Sequence, residues 1–428
     1  MPAVSGRVNP PAVVEHTRRG AALECDARGP GFLAARGRRA CNRARGAGAP
    51  HCRWLLALLL LAGCAPQLRV ATSGDYAPFS VRSDDGGRGG LDVAIAERLA
   101  DDLGMRLVWV PVAWPQLSPE LERGGFDVAL SGVTMRPERA LIGRYARPYT
   151  TTSALPVVRA DDAGRWPSSA DLDRPGVRLA VNAGGHLERV ARARFPRATI
   201  APVAGNRIVA ALADPTVDAV ITDTAELAVW PPGEPRPVAL PALTVDHKAP
   251  LLPVDRGELA VRVDDWLMAR EADGWLNAER VRTLGPSASL DAAGAARQAV
   301  AAWVTLRLGL MPDVAAAKRA AGQSIEDRAQ EARVLERVRA QVPAAPERAA
   351  AVYAVLIDAA KTVQREAPTG PAGPSLDTLR AALGRIDEML CRELAVLPPS
   401  SVESWRAALA DSGLPAGDIE RLAAALAG

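Results

Sequence analysis

The feature that most restricts the fold of this chain is a change of pattern at Pro286. Before it, short apolar runs of strand length alternate with amphipathic helical stretches. After it, strand runs stop and Ala-rich helical segments follow one another to the C-terminus. The alternation predicts an α/β fold and the strandless remainder an all-α bundle. In the first part, strands are expected at 68–72, 107–111, 127–131, 177–182, 217–222 and 251–253, with helices at 91–103, 187–195 and about 259–276. In the second, helices are expected at about 291–311, 313–320, 324–341, 346–365, 375–395, 402–410 and 417–427. The breaks fall at Pro312, Gly322, Pro343, Pro346, the 368–374 stretch and Pro398-Pro399.

Ahead of both lies a short apolar run, Trp54 to Gly63, directly after Arg53. It is far below the roughly 20 residues that span a bilayer and suits the apolar core of a secretory signal. It ends in Leu61-Ala62-Gly63-Cys64, which resembles the bacterial lipobox and implies a leader over 1–64, cleavage before Cys64 and lipid attachment there. A buried helix or strand fragment is the alternative, opposed by Pro66. The 52 basic and 49 acidic residues give a net charge of +3, but residues 1–53 hold ten Arg and three acids, which leaves 54–428 at −4. A mildly acidic body argues against nucleic acid as a partner. Lys occurs only at 248, 318 and 361, so each Lys stands out in an Arg-rich chain. Beyond the leader only Cys64 and Cys391 remain, and the four His are scattered, so no disulfide, metal site or cofactor is expected.

Thr72-Ser-Gly-Asp-Tyr-Ala-Pro-Phe79, Phe126-Asp-Val-Ala-Leu-Ser-Gly-Val-Thr-Met-Arg-Pro-Glu-Arg139 and Trp266-Leu with Asp273-Gly274 occur in order. They resemble the periplasmic amino-acid-binding proteins of solute-binding family 3. The resemblance implies a two-lobed periplasmic-binding-protein-like domain over 66–286 that closes on a small ligand. Within that superfamily, Ala113-Trp-Pro-Gln-Leu117, Pro175-Gly-Val-Arg178 with Asn182-Ala-Gly-Gly185, and Ile221-Thr-Asp-Thr-Ala-Glu226 resemble the cyclohexadienyl dehydratases, which act on prephenate or arogenate. By that resemblance Arg139 grips a ligand carboxylate, a task suited to a bidentate guanidinium. Ser131 and Thr134 add donors, Asp75 and Trp114 line the wall, and Asn182 and Asp223 contact substrate. Glu226 is the general acid for the departing hydroxyl. Gly184-Gly185-His186 lies where a strand turns into a helix, so free N–H groups there suit an anion, although relatives usually carry Thr at position 186. Read without the resemblance, Asp223 to Glu226 is also an ordinary capping box, the Gly pair a plain turn, Trp114 packing and Arg139 a surface charge.

After Pro286, Arg307-Leu-Gly-Leu-Met311, Asp313-Val-Ala-Ala-Ala-Lys318, Ile325-Glu-Asp327, Glu331 and Val334-Leu335 follow in an order and spacing that resemble the all-helical chorismate mutases. Ile357, Gln364 and the further helix with Arg380 resemble their exported subclass, and the implied bundle spans 290–428. Chorismate rearrangement is unimolecular, so a site must hold two carboxylates in the reactive conformer and stabilise charge on the ether oxygen. Arg307 and Lys318 are eleven residues apart, about three turns, and share a face if the helix is continuous or kinked at Pro312. By the resemblance Arg307 and Arg380 hold carboxylates, Lys318 contacts a carboxylate and the ether oxygen, Gln364 donates to that oxygen, Glu331 takes the ring hydroxyl and Asp327 lies in the substrate site. Where the family has Arg-Glu this chain has Gln330-Glu331, and Arg328 and Arg333 are the candidates for the missing cation. Alternatively these charges are solvated helix faces.

The mutase makes prephenate and the dehydratase consumes it, so the combined expectation is an exported bifunctional enzyme. It would take chorismate through prephenate or arogenate to phenylpyruvate or phenylalanine, with small molecules as partners and the membrane touched by a lipid anchor only. The rivals are a transporter-type amino-acid-binding lipoprotein with a helical appendage, and a mutase whose lobes sense prephenate.

Overall fold

The computed structural model describes residues 65–428 apart from 205–206 and 371–372; the leader and Cys64 lie outside the described residues. The strands are β1 (Gln67–Thr72), β2 (Asp75–Tyr76), β3 (Ser80–Arg82), β4 (Arg88–Gly89), β5 (Arg106–Pro111), β6 (Val128–Ala129), β7 (Gly143–Tyr145) and β8 (Thr150–Thr152). They continue with β9 (Ala154–Arg159), β10 (Arg178–Asn182), β11 (Thr199–Val203), β12 (Ala219–Asp223), β13 (Pro237–Ala239), β14 (Asp246–Lys248) and β15 (Leu251–Pro253). The first lobe has a five-stranded sheet in the order β5-β1-β6-β15-β7, and the second one in the order β11-β10-β12-β9-β13. In the first, β1 runs parallel to β5 and β6 while β15 is antiparallel. In the second, β10 runs parallel to β11 and β12, and β9 is antiparallel to β12.

Interior parallel strands are covered on both faces and read as nearly continuous apolar runs. In β1, Leu68, Val70 and Ala71 are buried, and β12, with Ala219, Val220 and Ile221, is buried throughout. The two chain crossings between the lobes, β8 and β14, pair antiparallel, with His247 opposite Thr151 and Lys248 opposite Thr150. Strands 150–159 and 237–248 are additions to the sequence expectation. The helix expected at about 259–276 is two, Gly257–Ala272 and Trp275–Leu284, because Gly274 takes a left-handed φ of 80°.

The C-terminal part is all helical, with Ala292–Gly309, Met311–Ala320, Arg328–Gln341, Pro346–Glu366, Leu376–Ala395, Val402–Leu409 and Ala416–Ala427. The third starts four residues later than expected because Asp327 caps it, accepting from the Gln330 N–H at 2.9 Å. Ala292–Gly309 is buried on most of its circumference, and its run of Ala lets neighbours approach closely. One hydrophobic core joins this bundle to the first lobe, bringing Trp303, Val300 and Val304 together with Leu121, Phe126, Val133 and Leu251. Gly309 abuts Pro137, where a Cβ would come within 2.6 Å of the proline Cγ. Polar bridges reinforce the contact: Arg385 donates to the Ala140 carbonyl at 2.8 Å, Arg147 pairs with Glu393 at 3.1 Å and Arg392 with Asp264 at 3.0 Å.

Candidate active sites

A cavity between the lobes is lined by Tyr76, Trp114, Thr134, Arg139, Asn182, Gly185, His186 and Lys248, among others. Thr134 is an isolated bridge partner of Lys248, which fixes the first lobe against a crossing strand. The Arg139 guanidinium is buried and donates to the Thr134 carbonyl at 3.1 Å. The Lys248 ammonium, 2% exposed, donates to Thr134 Oγ1 at 2.9 Å and to the Tyr76 hydroxyl at 3.2 Å. His186 bonds through Nε2 to Asp246 at 2.8 Å, and burial lowers the pKa of this histidine, keeping it neutral.

Glu226 is 2% exposed and lies behind Asn182. Its carboxyl receives the Thr222 hydroxyl at 2.5 Å and the Asn182 amide at 3.3 Å. Burial pushes it up to about 7 against the lowering effect of the Thr222 bond. Both readings of Asp223 to Glu226 therefore have a structural counterpart. Asp223 is the N-cap, accepting from the Glu226 N–H at 2.8 Å, but the Glu226 side chain turns to Thr222 and Asn182.

Four positions expected in this site lie elsewhere. Asp223 is fully buried beneath the wall, where the Tyr76 hydroxyl donates to it and Lys248 stands at 3.6 Å. Asp75 is exposed on β2, outside the lining. Ser131 accepts from the Ser73 N–H at 3.0 Å and lines a separate small cavity beside Trp114. The Gly184 N–H is not free for an anion, because Glu188 reaches back from the helix to accept it at 2.7 Å. An acid in a first helical turn naturally takes that role. Lys248, Tyr76 and Asp246 were not anticipated; the scarcity of Lys was the available signal for the first.

In the bundle, five helices surround a cavity of about 200 Å³ lined by Arg307, Lys318, Asp327, Glu331, Gln364 and Arg380 together with Gln330, Arg337, Lys361 and Asp387. The kink after Leu310 keeps Arg307 and Lys318 on the cavity side of two successive helices. Arg307 is buried and donates through Nε to Asp387 at 3.1 Å, while its Nη1 is buried without a protein acceptor. Gln364 Oε1 is likewise buried without a donor. Lys318 donates to the Ile325 carbonyl at 2.7 Å, and burial lowers its pKa. Glu331 pairs with Lys361 at 3.3 Å, and Arg380 sits at the rim with Asp377 at 3.2 Å.

Neither Arg328 nor Arg333 lines this cavity; Arg333 instead donates to the Gln330 side chain at 2.8 Å. The cation on that helix that does line it is Arg337, two turns beyond Gln330, paired with Asp387 at 2.8 Å. Asp387 follows Arg380 by seven residues on one helix face, a spacing whose partner across the bundle no local pattern identifies.

Two α/β lobes joined by paired crossings, with a cavity lined by Arg139 and Lys248 between them, define a two-lobed α/β protein of the solute-binding type. The model of bacterial extracellular solute-binding proteins, family 3, matches residues 68–282, and the chain belongs to that family. The chorismate mutase type II model matches residues 299–365. Among curated proteins, the chain is 39% identical over 160 residues to a cyclohexadienyl dehydratase of Pseudomonas aeruginosa, covering 37% of this chain and 60% of that protein. It is 31% identical over 121 residues to the L-cystine-binding protein TcyJ of Escherichia coli K12, covering 28% and 45%. The chain thus spans three-fifths or less of these relatives. A solved structure of the ancestral amino acid-binding protein AncCDT-1, a precursor of cyclohexadienyl dehydratase, aligns at 28% identity and a TM-score of 0.48, covering 54% of this chain and 99% of that one.

Proposed function

We propose that the chain is a bifunctional enzyme, with a chorismate mutase over 290–428 that forms prephenate and a dehydratase over 66–286 that converts prephenate or arogenate to phenylpyruvate or phenylalanine. The observation that carries the second activity is Glu226, a buried carboxyl pushed up to about 7 beside a cleft with two lining cations. A proton from Glu226 leaves with the ring hydroxyl as water, and the ring carboxylate departs as carbon dioxide as the ring becomes aromatic. Arg139 and Lys248 anchor carboxylates, and lobe closure excludes water.

In the bundle, Arg307 and Arg380 hold the chorismate carboxylates, Lys318 and Gln364 stabilise the ether oxygen, and Glu331 receives the ring hydroxyl. The unpartnered Arg307 Nη1, buried at the cavity, supports this reading, since buried polar groups in a folded protein normally have partners. The matching family is extracellular, and export with lipid attachment at Cys64 completes the proposal.

The test supplies the purified protein with chorismate and, separately, with prephenate, and follows phenylpyruvate. Product from both supports two working sites. Product from prephenate alone removes the mutase assignment, and tight amino-acid binding without turnover would make the lobes a receptor.

A further inference from the structure

Resting on the dehydratase reading above, we propose that Lys248 makes the cleft select a substrate with two carboxylates and a 2-oxo group over the same skeleton bearing a 2-ammonium. Thr134 places two cations at one end of the cavity, since its carbonyl accepts from Arg139 at 3.1 Å and its hydroxyl from Lys248 at 2.9 Å. Both prephenate and arogenate carry two carboxylates for such a pair. Arogenate adds a positive charge, which needs an acid and must avoid these cations.

The acids around the cavity are either engaged by other groups or outside its lining. Asp223 accepts from the Glu226 N–H, the Tyr76 hydroxyl and, at 3.4 Å, the Thr152 hydroxyl, and it faces Lys248. Asp246 is held by His186 at 2.8 Å and by the Thr244 hydroxyl at 2.9 Å. Asp92 is buried under the Gly132 N–H at 2.5 Å and the Tyr149 hydroxyl at 2.9 Å. Glu226 is taken by Thr222 and Asn182, and Asp75 is exposed outside the lining. A ligand ammonium near Thr134 therefore meets like charge from Lys248, and no carboxylate is among the described residues that line the cavity. A like charge without a compensating partner in a low-dielectric site is strongly disfavoured.

The experiment measures kcat/KM of the full protein on prephenate and on arogenate. The expected ratio favours prephenate by about tenfold or more, carried mainly by KM, the scale of losing a hydrogen-bonded charged partner. Lys248→Met should lower efficiency on both substrates, since both lose a carboxylate anchor, but much more on prephenate, for which no like-charge clash is relieved, and so bring the ratio to within about threefold. Because Lys248 is buried, Lys248→Gln and direct titration of both acids into Glu226→Gln, read by tryptophan fluorescence, provide independent readouts. Equal efficiency in the unaltered protein, or an unchanged ratio in a folded Lys248 variant, overturns the inference alone. Efficient use of arogenate that Asp75→Asn abolishes also overturns it and names the acceptor. If neither acid binds or reacts, the dehydratase reading falls as well.

Discussion

A carboxyl that protonates a leaving hydroxyl must still carry its proton at the working pH, and Glu226 meets that condition through burial. Dehydration efficiency should be flat below about pH 7 and fall about tenfold per unit above it as the acid ionises, while prephenate formation from chorismate does not follow that curve. A pH series of initial rates on the two substrates checks this. Glu226→Gln should reduce dehydration by about 10²–10⁴-fold and leave the mutase unchanged. Lys318→Ala should do the converse, lowering the mutase kcat by about 10²–10³-fold, the scale of removing one donor to developing charge. Single-substrate assays of each variant separate the two outcomes. Motif order made most of these residues legible, because Arg139, Asn182, Arg307, Lys318 and Gln364 all face the cavities expected of them. What it did not convey was how neighbours use their bonds. Gly184 was expected to offer an N–H that Glu188 already occupies, and the missing bundle cation appears two turns away at Arg337. Both depend on side-chain reach across space, which spacing along the chain does not encode.

The paired crossings β8 and β14 illustrate the same limit for elements. Their sequences are short and polar, without the long apolar runs that marked β1 or β12, yet they link the two lobes and deliver Lys248 to the cleft. His247 sits in β14 with its Nδ1 3.0 Å from the Thr151 hydroxyl, and burial holds its pKa down to about 4 against the ordinary 6.5. The unfolded chain therefore binds a proton first. The stability that neutral His247 contributes is complete above about pH 6.5 and is lost as the pH falls towards 4, by about 3 kcal/mol at most. Urea midpoints measured from pH 7 to 4 should drop less steeply in His247→Asn than in the unaltered protein. The helices of the bundle were better marked, since Pro, Gly and capping residues punctuate the sequence at their ends.

At the scale of the molecule, two parts with different sequence patterns share one core, so the first lobe and the bundle should melt together. Calorimetry should show the bundle and the first lobe in a single transition, and a separate earlier melting of the bundle would contradict it. The Arg147–Glu393 bridge across that contact is asymmetric. Burial raises Glu393 to about 8, so at pH 7 it is largely protonated even beside Arg147, whereas an arginine cannot shed its charge. Arg147→Met, which leaves a neutral carboxyl behind, should therefore cost less in urea unfolding at pH 7 than Glu393→Leu, which removes a polar partner of a charge that stays, at about 1–3 kcal/mol. Fastening the bundle to the first lobe has a further consequence. Among the described residues, the polar bridges to the bundle start from the first lobe and its flanking helix, at Ala140, Leu141, Arg144, Arg147, Asp264 and Asp265. The bundle cavity therefore sits on the same fixed body as the first lobe, and any closure of the cleft is a movement of the second lobe relative to both. On the proposed function, chorismate turnover should be the same with the cleft empty or filled by a non-reacting dicarboxylate, because the five pocket helices share no polar bridge with the second lobe among the described residues.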